Sequence, residues 1–365
     1  MNHNLKFYPL GNADTTLIKL GSGKTILIDY ANKRNGSPDD RRCNLPLELN
    51  KDVTNDYFDV VAFTHADLDH VCKFSDYFYL QHAVKYQAGN RKKINELWVP
   101  AQVIIEEGCD DETRILRAEA RHRLRNKKGI KVFSNPEKLQ DWLEKEGIAP
   151  EEVQHLIINA GLPVPGWDNT NAELEIFIHA PFSYHYEGTE IDRNDVSLVF
   201  QATFRNQYET KLLFLGDANW ELLHHIVAMS DRFNNLDRLH WDLLHISHHC
   251  SYLSLGPEKG ETQTEPVDPV RRLIEEFSNE KSVMISPSGI IPSDYDATQP
   301  PHRQAYNYYK AIADQKQGEI LVTMAFPDQD EPKPIEIVIN QYGLTVLKTI
   351  IPAGFTSERQ TPKAG

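Results

Sequence analysis

The stretch Phe58-Asp59-Val60-Val61-Ala62-Phe63-Thr64-His65-Ala66-Asp67-Leu68-Asp69-His70 decides how the fold of this chain is predicted. Its first half is largely apolar, which is typical of a buried strand. Four side chains that can bind a divalent cation follow within six residues: His65, Asp67, Asp69 and His70. Imidazole and carboxylate ligands together suit zinc, manganese or iron, so the stretch predicts an open metal site where a strand leaves its sheet. The alternative is a polar loop whose histidines cap the next helix. That alternative would explain a single histidine, but it explains a group of four candidate ligands less well.

Length and composition indicate an ordinary globular protein. The 365 residues suffice for one large α/β domain or two modest ones, and 40% of them are hydrophobic and 10% aromatic. We find no run of 18 apolar residues, and Met1-Asn2-His3-Asn4 leads directly into a strand-like segment. We therefore expect a soluble, unexported protein with no membrane partner.

Cysteine usage and charge restrict the classes of partner. The cysteines Cys43, Cys72, Cys109 and Cys250 form no Cys-x-x-Cys pair, which disfavours a disulfide framework and a thiolate zinc site and fits a reducing cytoplasm. The formal net charge of −14 opposes long-range attraction of the whole molecule to nucleic acid or anionic lipid. A polyanionic partner must therefore find a local basic surface or a metal ion. The sequence leaves open whether the chain forms a homo-oligomer.

Apolar runs and turn residues predict strands that alternate with helices. The expected strands are 6–10, 15–20, 25–30, 58–63, 174–180, 196–200, 211–217, 242–247, 282–286, 319–325, 334–340 and 344–348. The expected helices are 71–80, 110–128, 135–146, 220–229, 269–277 and 303–315. The pattern is that of an α/β protein.

Residues 81–165 differ from the rest, because long polar helical stretches there are expected to replace strands. We predict a helical insertion in the sheet domain. Between Lys85 and Lys131 there are twelve Lys and Arg residues against seven Asp and Glu residues. Four arginines share one helix face by their steps of three and four residues: Arg114, Arg117, Arg121 and Arg125. This face is either solvated or a surface that binds phosphates.

Three polar clusters each follow an apolar strand. The first runs from His65 to His70, the second is Asp217 after Leu213-Phe214-Leu215-Gly216, and the third is His248-His249. Because active sites of layered α/β folds form where strands release their loops, we expect the three clusters to meet at one edge.

In order and character these motifs resemble those of the metallo-β-lactamase-fold hydrolases. The closest resemblance is to the branch found as the soluble domain of the DNA-uptake protein ComEC, which has Asp at the position of Asp67. The motifs that carry the resemblance are Gly11-Asn12-Ala13-Asp14, His65-x-Asp67-x-Asp69-His70, Asn194-Asp195-Val196-Ser197-Leu198-Val199, Leu215-Gly216-Asp217, Ser247-His248-His249-Cys250-Ser251 and His302 after Ile285-Ser286-Pro287-Ser288-Gly289.

The resemblance implies a fold and its boundaries. A four-layer αββα sandwich would span residues 1–355, with the helical insertion at 81–165 inside it and a loose tail at 356–365. Two departures from the family's pattern concern the pocket floor: Val71-Cys72 stands where the family usually has Gly-Gly, and Cys250 stands where it has Gly.

The resemblance also implies a metal centre with two cations, Zn²⁺ or Mn²⁺. One would bind His65 and Asp67, the other Asp69 and His70, with Asp217 between them. Either His248 or His249 would complete the second position. The family's third histidine is not evident in this sequence, and His179 and His185 are its candidates. The number of cations therefore stays open.

Further roles follow from the same resemblance. Asp69 would orient the attacking water or accept its proton, and His302 would bind a phosphate oxygen or protonate the leaving group. Ser251 and Ser288 are candidate hydrogen-bond donors to the substrate, although serines in loops usually serve turns.

Three functions are compatible with these residues. The leading hypothesis is a phosphodiesterase or nuclease in which metal-bound hydroxide attacks a phosphodiester of a nucleic acid or nucleotide, with the arginine-rich helix holding the polyanion. The second is hydrolysis of an ester, lactone or thioester of a small substrate by the same metals. The third is a binding or scaffold protein on a decayed metallohydrolase fold.

Overall fold

The computed structural model describes residues 2–109, 111–168, 173–186 and 192–348. The tail predicted at 356–365 lies outside these residues. No helix among the described residues is both long and apolar enough to cross a membrane.

The strands of the described residues form two sheets. They are β1 His3–Phe7, β2 Thr16–Lys19, β3 Thr25–Ile28, β4 Tyr57–Ala62, β5 Lys93–Pro100, β6 Ile130–Phe133, β7 Ile157–Ile158, β8 Leu174–Ala180, β9 Val199–Arg205, β10 Glu209–Phe214, β11 Trp241–His245, β12 Ser278–Ser286, β13 Glu319–Val322, β14 Ile335–Asn340 and β15 Gly343–Val346. One sheet has nine strands in the order β15-β14-β1-β2-β3-β4-β5-β6-β7, and the other has six in the order β13-β12-β11-β10-β9-β8.

The α-helices lie between these strands in sequence. They are α1 Leu45–Asp52, α2 Leu68–Val71, α3 Phe74–Tyr77, α4 Ala101–Ile105, α5 Asp111–Arg125, α6 Glu137–Lys145, α7 Pro150–Val153, α8 Trp220–Arg232, α9 Asp268–Glu275 and α10 Arg303–Gln315.

Buried apolar side chains divide the molecule into four layers. Leu5 and Ile28 of the nine-stranded sheet share one core with Phe200 and Leu243 of the six-stranded sheet, so the two sheets pack face to face. A second core lies between the nine-stranded sheet and helices α1 to α7. A third lies between the six-stranded sheet and helices α8, α9 and α10. The predicted αββα sandwich is confirmed.

Strand β8 is buried along its whole length. All its residues from Leu174 to Ala180 are buried, because one face meets the other sheet and the opposite face meets α8. Leu174, Ile176 and Ile178 lie in the core between the sheets. The buried Glu175 forms ion pairs with Arg205 and Arg238.

Residues 81–165 are not a helix-only segment. Strands β5, β6 and β7 lie in this range and extend the nine-stranded sheet in parallel beyond β4. Helices α4, α5 and α6 cover the outer face of these strands. The expectation that helices replace strands here is wrong. The pattern hid these strands because β5 begins with the exposed Lys93 and Asn95, and β6 is only four residues long.

A buried ion pair holds helix α5 against this part of the sheet. Arg123 Nε donates to Glu119 Oε1 over 2.7 Å, and both side chains are almost fully buried. The guanidinium also donates to the carbonyl oxygens of Gly129 and Ile94, at 2.8 and 3.1 Å. Burial alone would raise the pKa of Glu119, but the hydrogen bond from His82 and the charge of Arg123 lower it to about 2.

We expect Glu119→Gln to lower the free energy of unfolding at pH 7 by about 3 kcal/mol, because it leaves the Arg123 charge buried without a counter-charge. The contribution of the Glu119–Arg123 pair to the free energy of unfolding is complete above the ordinary pKa of glutamate. It is lost as the pH falls through the lowered pKa of Glu119 in the folded protein. Urea denaturation curves at pH 7 and at pH values from 5 to 3 measure both effects. As the pH falls, the free energy of unfolding of the variant should decrease less steeply than that of the wild type. Glu144→Gln, at an exposed position of α6, is the matched control. Equal midpoints for the two variants would contradict the role of the pair.

Candidate metal centre

The predicted clusters meet at one end of the sandwich. The loop from Thr64 to His70 follows β4, Asp217 follows β10, and His248-His249 follows β11. Strands β3 to β7 and β10 to β13 run parallel within their sheets, so these loops leave at carboxyl ends of strands. The expected convergence at one edge is therefore found.

Asp217 lies at the centre of the group and is almost fully buried. Its Oδ1 is 3.3 Å from His70 Nε2, and its Oδ2 is 4.0 Å from His65 Nε2 and 3.6 Å from His249 Nε2. One ligand atom from each of His65, His70 and Asp217 lies within 4.8 Å of the other two.

Two further carboxylates flank this core. Asp69 Oδ2 lies 3.5 Å from His249 Nε2, and Asp67 Oδ2 lies 3.5 Å from His65 Nε2. Asp69, His70 and His249 form a second group whose ligand atoms lie within 4.8 Å of one another. The structure thus gathers six of the side chains predicted from sequence: His65, Asp67, Asp69, His70, Asp217 and His249.

The inward-facing atoms of this group test whether a cation fits. His65 Nε2, His70 Nε2, His249 Nε2 and Asp217 Oδ1 are buried and have no hydrogen-bond partner. A buried polar atom without a partner costs free energy, and four that face one another call for a common partner. Imidazole nitrogens and carboxylate oxygens are ligands of zinc and manganese, so these residues fit a divalent cation.

The outward ring nitrogens of two histidines are held by hydrogen bonds. His70 Nδ1 lies 2.8 Å from Asp29 Oδ2, and His249 Nδ1 donates to the carbonyl oxygen of Pro287 over 2.7 Å. The second carboxylate oxygen of Asp29 accepts the Thr64 backbone N–H at 2.7 Å. These bonds orient the rings so that Nε2 faces the centre, as outer partners do in metal sites.

Asp29 is a residue of this centre that the sequence pattern did not identify. It stands at the end of β3 with a left-handed backbone, φ 56°, and is fully buried. The available signal was a carboxylate that directly follows the apolar run Thr25–Ile28, which is the same pattern that identified Asp217.

The charges of the group shift its pKa values in opposite directions. Burial alone would lower the pKa of His70, but the charges of Asp217 and Asp29 raise it well above its ordinary value. Burial alone would raise the pKa of Asp217, but His70 and His249 hold it well below its ordinary value. Burial alone would raise the pKa of Asp69, but the adjacent imidazoles of His249 and His70 lower it. The carboxylates are therefore ionised at neutral pH and ready to bind a cation.

Of the neighbouring histidines His248 and His249, only His249 joins the described ligand groups. His248 is half-buried, and burial lowers its pKa. The turn is left-handed at three successive residues, with φ of 47° at His248, 52° at His249 and 66° at Cys250. Cys250 thus occupies a conformation that glycine adopts more readily, and such strain is typical of functional sites.

The structure does not bring His179 to the centre. Its Nε2 lies 3.0 Å from the carbonyl oxygen of Arg238, and its ring lines a separate cavity of about 350 Å³ beside Phe177 and Met229. His185 is also directed elsewhere, with Nδ1 2.8 Å from the Asp195 carbonyl oxygen. His179 therefore joins none of the described ligand groups, because its ring lines the cavity beside α8.

The serines have structural partners. Ser251 Oγ accepts the backbone N–H of Leu253 at 3.2 Å, and Ser288 Oγ lies 2.8 Å from Ser286 Oγ. Both are buried, which fits turn chemistry rather than the predicted contact with substrate. His302 directly precedes α10 but makes no side-chain capping hydrogen bond. Its pKa is lowered by burial and by the charges of Lys259 and His248. Its catalytic role stays a prediction.

The arginine face of α5 is paired within the protein. The partners are Asp111 for Arg114, Glu107 for Arg117 and Arg121, and Glu146 for Arg125. Arg121 also donates to the carbonyl oxygen of Ile104 over 2.7 Å. The expectation of a phosphate-binding surface here is not supported, because neighbouring carboxylates neutralise the guanidinium groups.

This chain has distant structural similarity to several known proteins. No family model and no curated protein matches the sequence. The metallo-beta-lactamase fold protein YhfI from Bacillus subtilis is 10% identical over 88% of this chain and 96% of that chain, with a TM-score of 0.42. An isothiocyanate hydrolase from Delia radicum gut bacteria is 12% identical over 87% and 95%, with a TM-score of 0.39. A diphosphatase from the PhnP family is 9% identical over 95% and 99%, with a TM-score of 0.34.

Similarities at this level carry no argument about the reaction. The fold class rests on the two sheets and their outer helices, which match the predicted metallo-β-lactamase sandwich. The ComEC-like branch stays a prediction.

We expect Asp29→Asn to weaken Zn²⁺ binding about 10- to 100-fold, because the amide no longer carries the charge that orients His70. Asparagine tolerates the left-handed backbone at this position, so the fold should be kept. Equilibrium dialysis against buffered Zn²⁺ measures the dissociation constant. Asp59→Asn, at a carboxylate of β4 that accepts the Thr25 N–H, is the matched control. Unchanged affinity in a folded Asp29→Asn protein would contradict the orienting role.

Proposed function

We propose that this protein is a metal-dependent hydrolase whose leading substrate is a phosphodiester. The observation that carries the proposal is the convergence of three imidazoles and three carboxylates from three separated loops, with four buried ligand atoms that lack any other partner. A purely structural centre would be closed by four protein ligands, whereas Asp67 and Asp69 here remain 37% and 30% exposed.

The residues that would hold the cations are those gathered around Asp217. Divalent cations bound there would lower the pKa of water and neutralise negative charge that develops on the substrate. Asp69 faces solvent on one side and is ionised, so it can orient a water molecule and accept its proton. Zn²⁺ and Mn²⁺ both suit the mixed nitrogen and oxygen ligands.

Two observations bear on the size of the substrate. The α5 arginines are paired with carboxylates, and the chain carries a net charge of −14. Both disfavour a long polyanion held over an extended basic surface. We therefore favour a nucleotide-sized phosphodiester over a nucleic acid polymer. The ComEC-like motif set supports phosphodiester chemistry as such.

A small ester, lactone or thioester is the second candidate. Apolar side chains are exposed in the loops that carry or adjoin the ligands: Leu68 at 51%, Leu253 at 38% and Ile290 at 44%. Such a rim would contact the uncharged part of a small substrate.

We expect the purified protein supplied with Mn²⁺ or Zn²⁺ to hydrolyse bis(p-nitrophenyl) phosphate and cyclic dinucleotides faster than p-nitrophenyl acetate. His65→Ala and Asp217→Asn should each lower kcat/KM more than about 100-fold, since they remove ligands rather than outer partners. His155→Ala, at an exposed histidine remote from the ligand loops, should leave the rate unchanged.

Chelation with EDTA and restoration by added metal complete this experiment. Faster hydrolysis of the acetate would select the second candidate. If the protein hydrolyses no phosphodiester, nucleic acid or ester and binds less than one metal ion per chain, the result would contradict the proposal. It would favour a binding protein on a decayed fold.

A further inference from the structure

The side chain of Arg193 contacts the ligand loop directly. Its Nη1 donates to Asp67 Oδ1 over 2.5 Å and to the Ala66 carbonyl oxygen over 3.3 Å. Its Nε lies 3.1 and 3.2 Å from the two carboxylate oxygens of Glu106, and Nη2 also donates to Glu106. The Arg193 side chain is 22% exposed. Most of its donors are already used, which fits a role in positioning Asp67 rather than in binding substrate.

The ligands around Asp217 are unequally distributed. One side offers Asp69, His70 and His249, whose ligand atoms lie within 4.8 Å of one another, in addition to Asp217. The other side offers His65 and Asp67 besides Asp217, and its only further imidazole among the described ligand groups is that of His70, which it shares with the first side. Within the part of the chain that the structure describes, no third imidazole reaches this second side.

Arg193 increases this inequality in two ways. It holds Asp67 Oδ1 in an ion pair, so only Oδ2 faces His65. It also partly neutralises the charge of the Asp67 carboxylate, which weakens the attraction of Asp67 for a cation on the His65 side. Neither effect reaches the other side, where Asp69 and His249 have no cationic side chain of Lys or Arg as a hydrogen-bond partner among the described residues.

We propose that Arg193 is a positioning residue that makes the metal centre asymmetric. The first cation binds tightly to Asp69, His70, Asp217 and His249, and the second binds more weakly to His65, Asp67 and Asp217. This inference rests on the proposed function only in requiring that the centre binds divalent cations. It adds a reason for unequal occupancy that lies in this chain's own residues.

The test is equilibrium dialysis of the full chain against Zn²⁺ and, separately, Mn²⁺, with bound metal measured by mass spectrometry. We expect one tight equivalent in the wild type and a second that binds at least about tenfold more weakly. Arg193→Gln should tighten the second equivalent about tenfold or more and leave the first unchanged, because it removes the charge and frees Asp67. Arg193→Lys keeps a charge at this position and should leave the second equivalent weak.

A second pair of variants tests the assignment independently of Arg193. Asp69→Asn should abolish the tight equivalent, whereas Asp67→Asn should leave it in place. The reverse result would overturn the inference, even if Arg193→Gln fails to fold. A folded Arg193→Gln protein with an unchanged second equivalent would also overturn it.

The wild-type titration separates this inference from the proposed function. Two equally tight cations would overturn the asymmetry alone. No bound cation at all would overturn both.

Discussion

The rest of the centre depends on the burial of one carboxylate, that of Asp217. A carboxylate removed from water without counter-charges would be protonated or would destabilise the fold. Here His65, His70 and His249 surround it, and their inward nitrogens have no other partner. The buried Nε2 atoms of the three imidazoles in turn need a shared cation or a proton as a partner. This mutual requirement explains why three loops that are far apart in sequence end within a few ångströms of one another.

Backbone contacts between the two sheets bring those loops together. The Leu198 N–H donates to the Thr64 carbonyl oxygen over 2.8 Å, which joins the ligand loop of one sheet to the other. Gly216 has φ 54°, and a Cβ there would lie 2.5 Å from Ser197 Oγ. Only glycine fits this approach, so the Gly-Asp pair sets both the sharp turn and the place of Asp217. Asn12 binds the loops at Gly289 and Pro300, which extends the same assembly toward His302.

The charges around the centre decide what it can accept. Carboxylates outnumber free guanidinium groups near the ligand loops, since Arg193 is paired with Asp67 and Glu106 and the α5 arginines are paired with their own neighbours. We therefore expect the bound metal ions, rather than the protein surface, to attract an anionic substrate. The protein supplies geometry and proton acceptors, and the bound metal supplies the positive charge.

The sequence by itself determined the sandwich, most of its strands and six of the gathered side chains. It could do so because each ligand directly follows an apolar run, and the order of runs and ligands is a local property. Tertiary structure alone decided four matters. It brought His249 rather than His248 into the described ligand groups, directed His179 to a separate cavity and the α5 arginines to neighbouring carboxylates, and placed Asp29 and Arg193 beside the ligand loop. It also placed β5, β6 and β7 in the sheet. Contacts between residues distant in sequence set the orientation of an imidazole ring, the partner of a guanidinium group and the pairing of a short polar strand. A local sequence pattern does not contain this information.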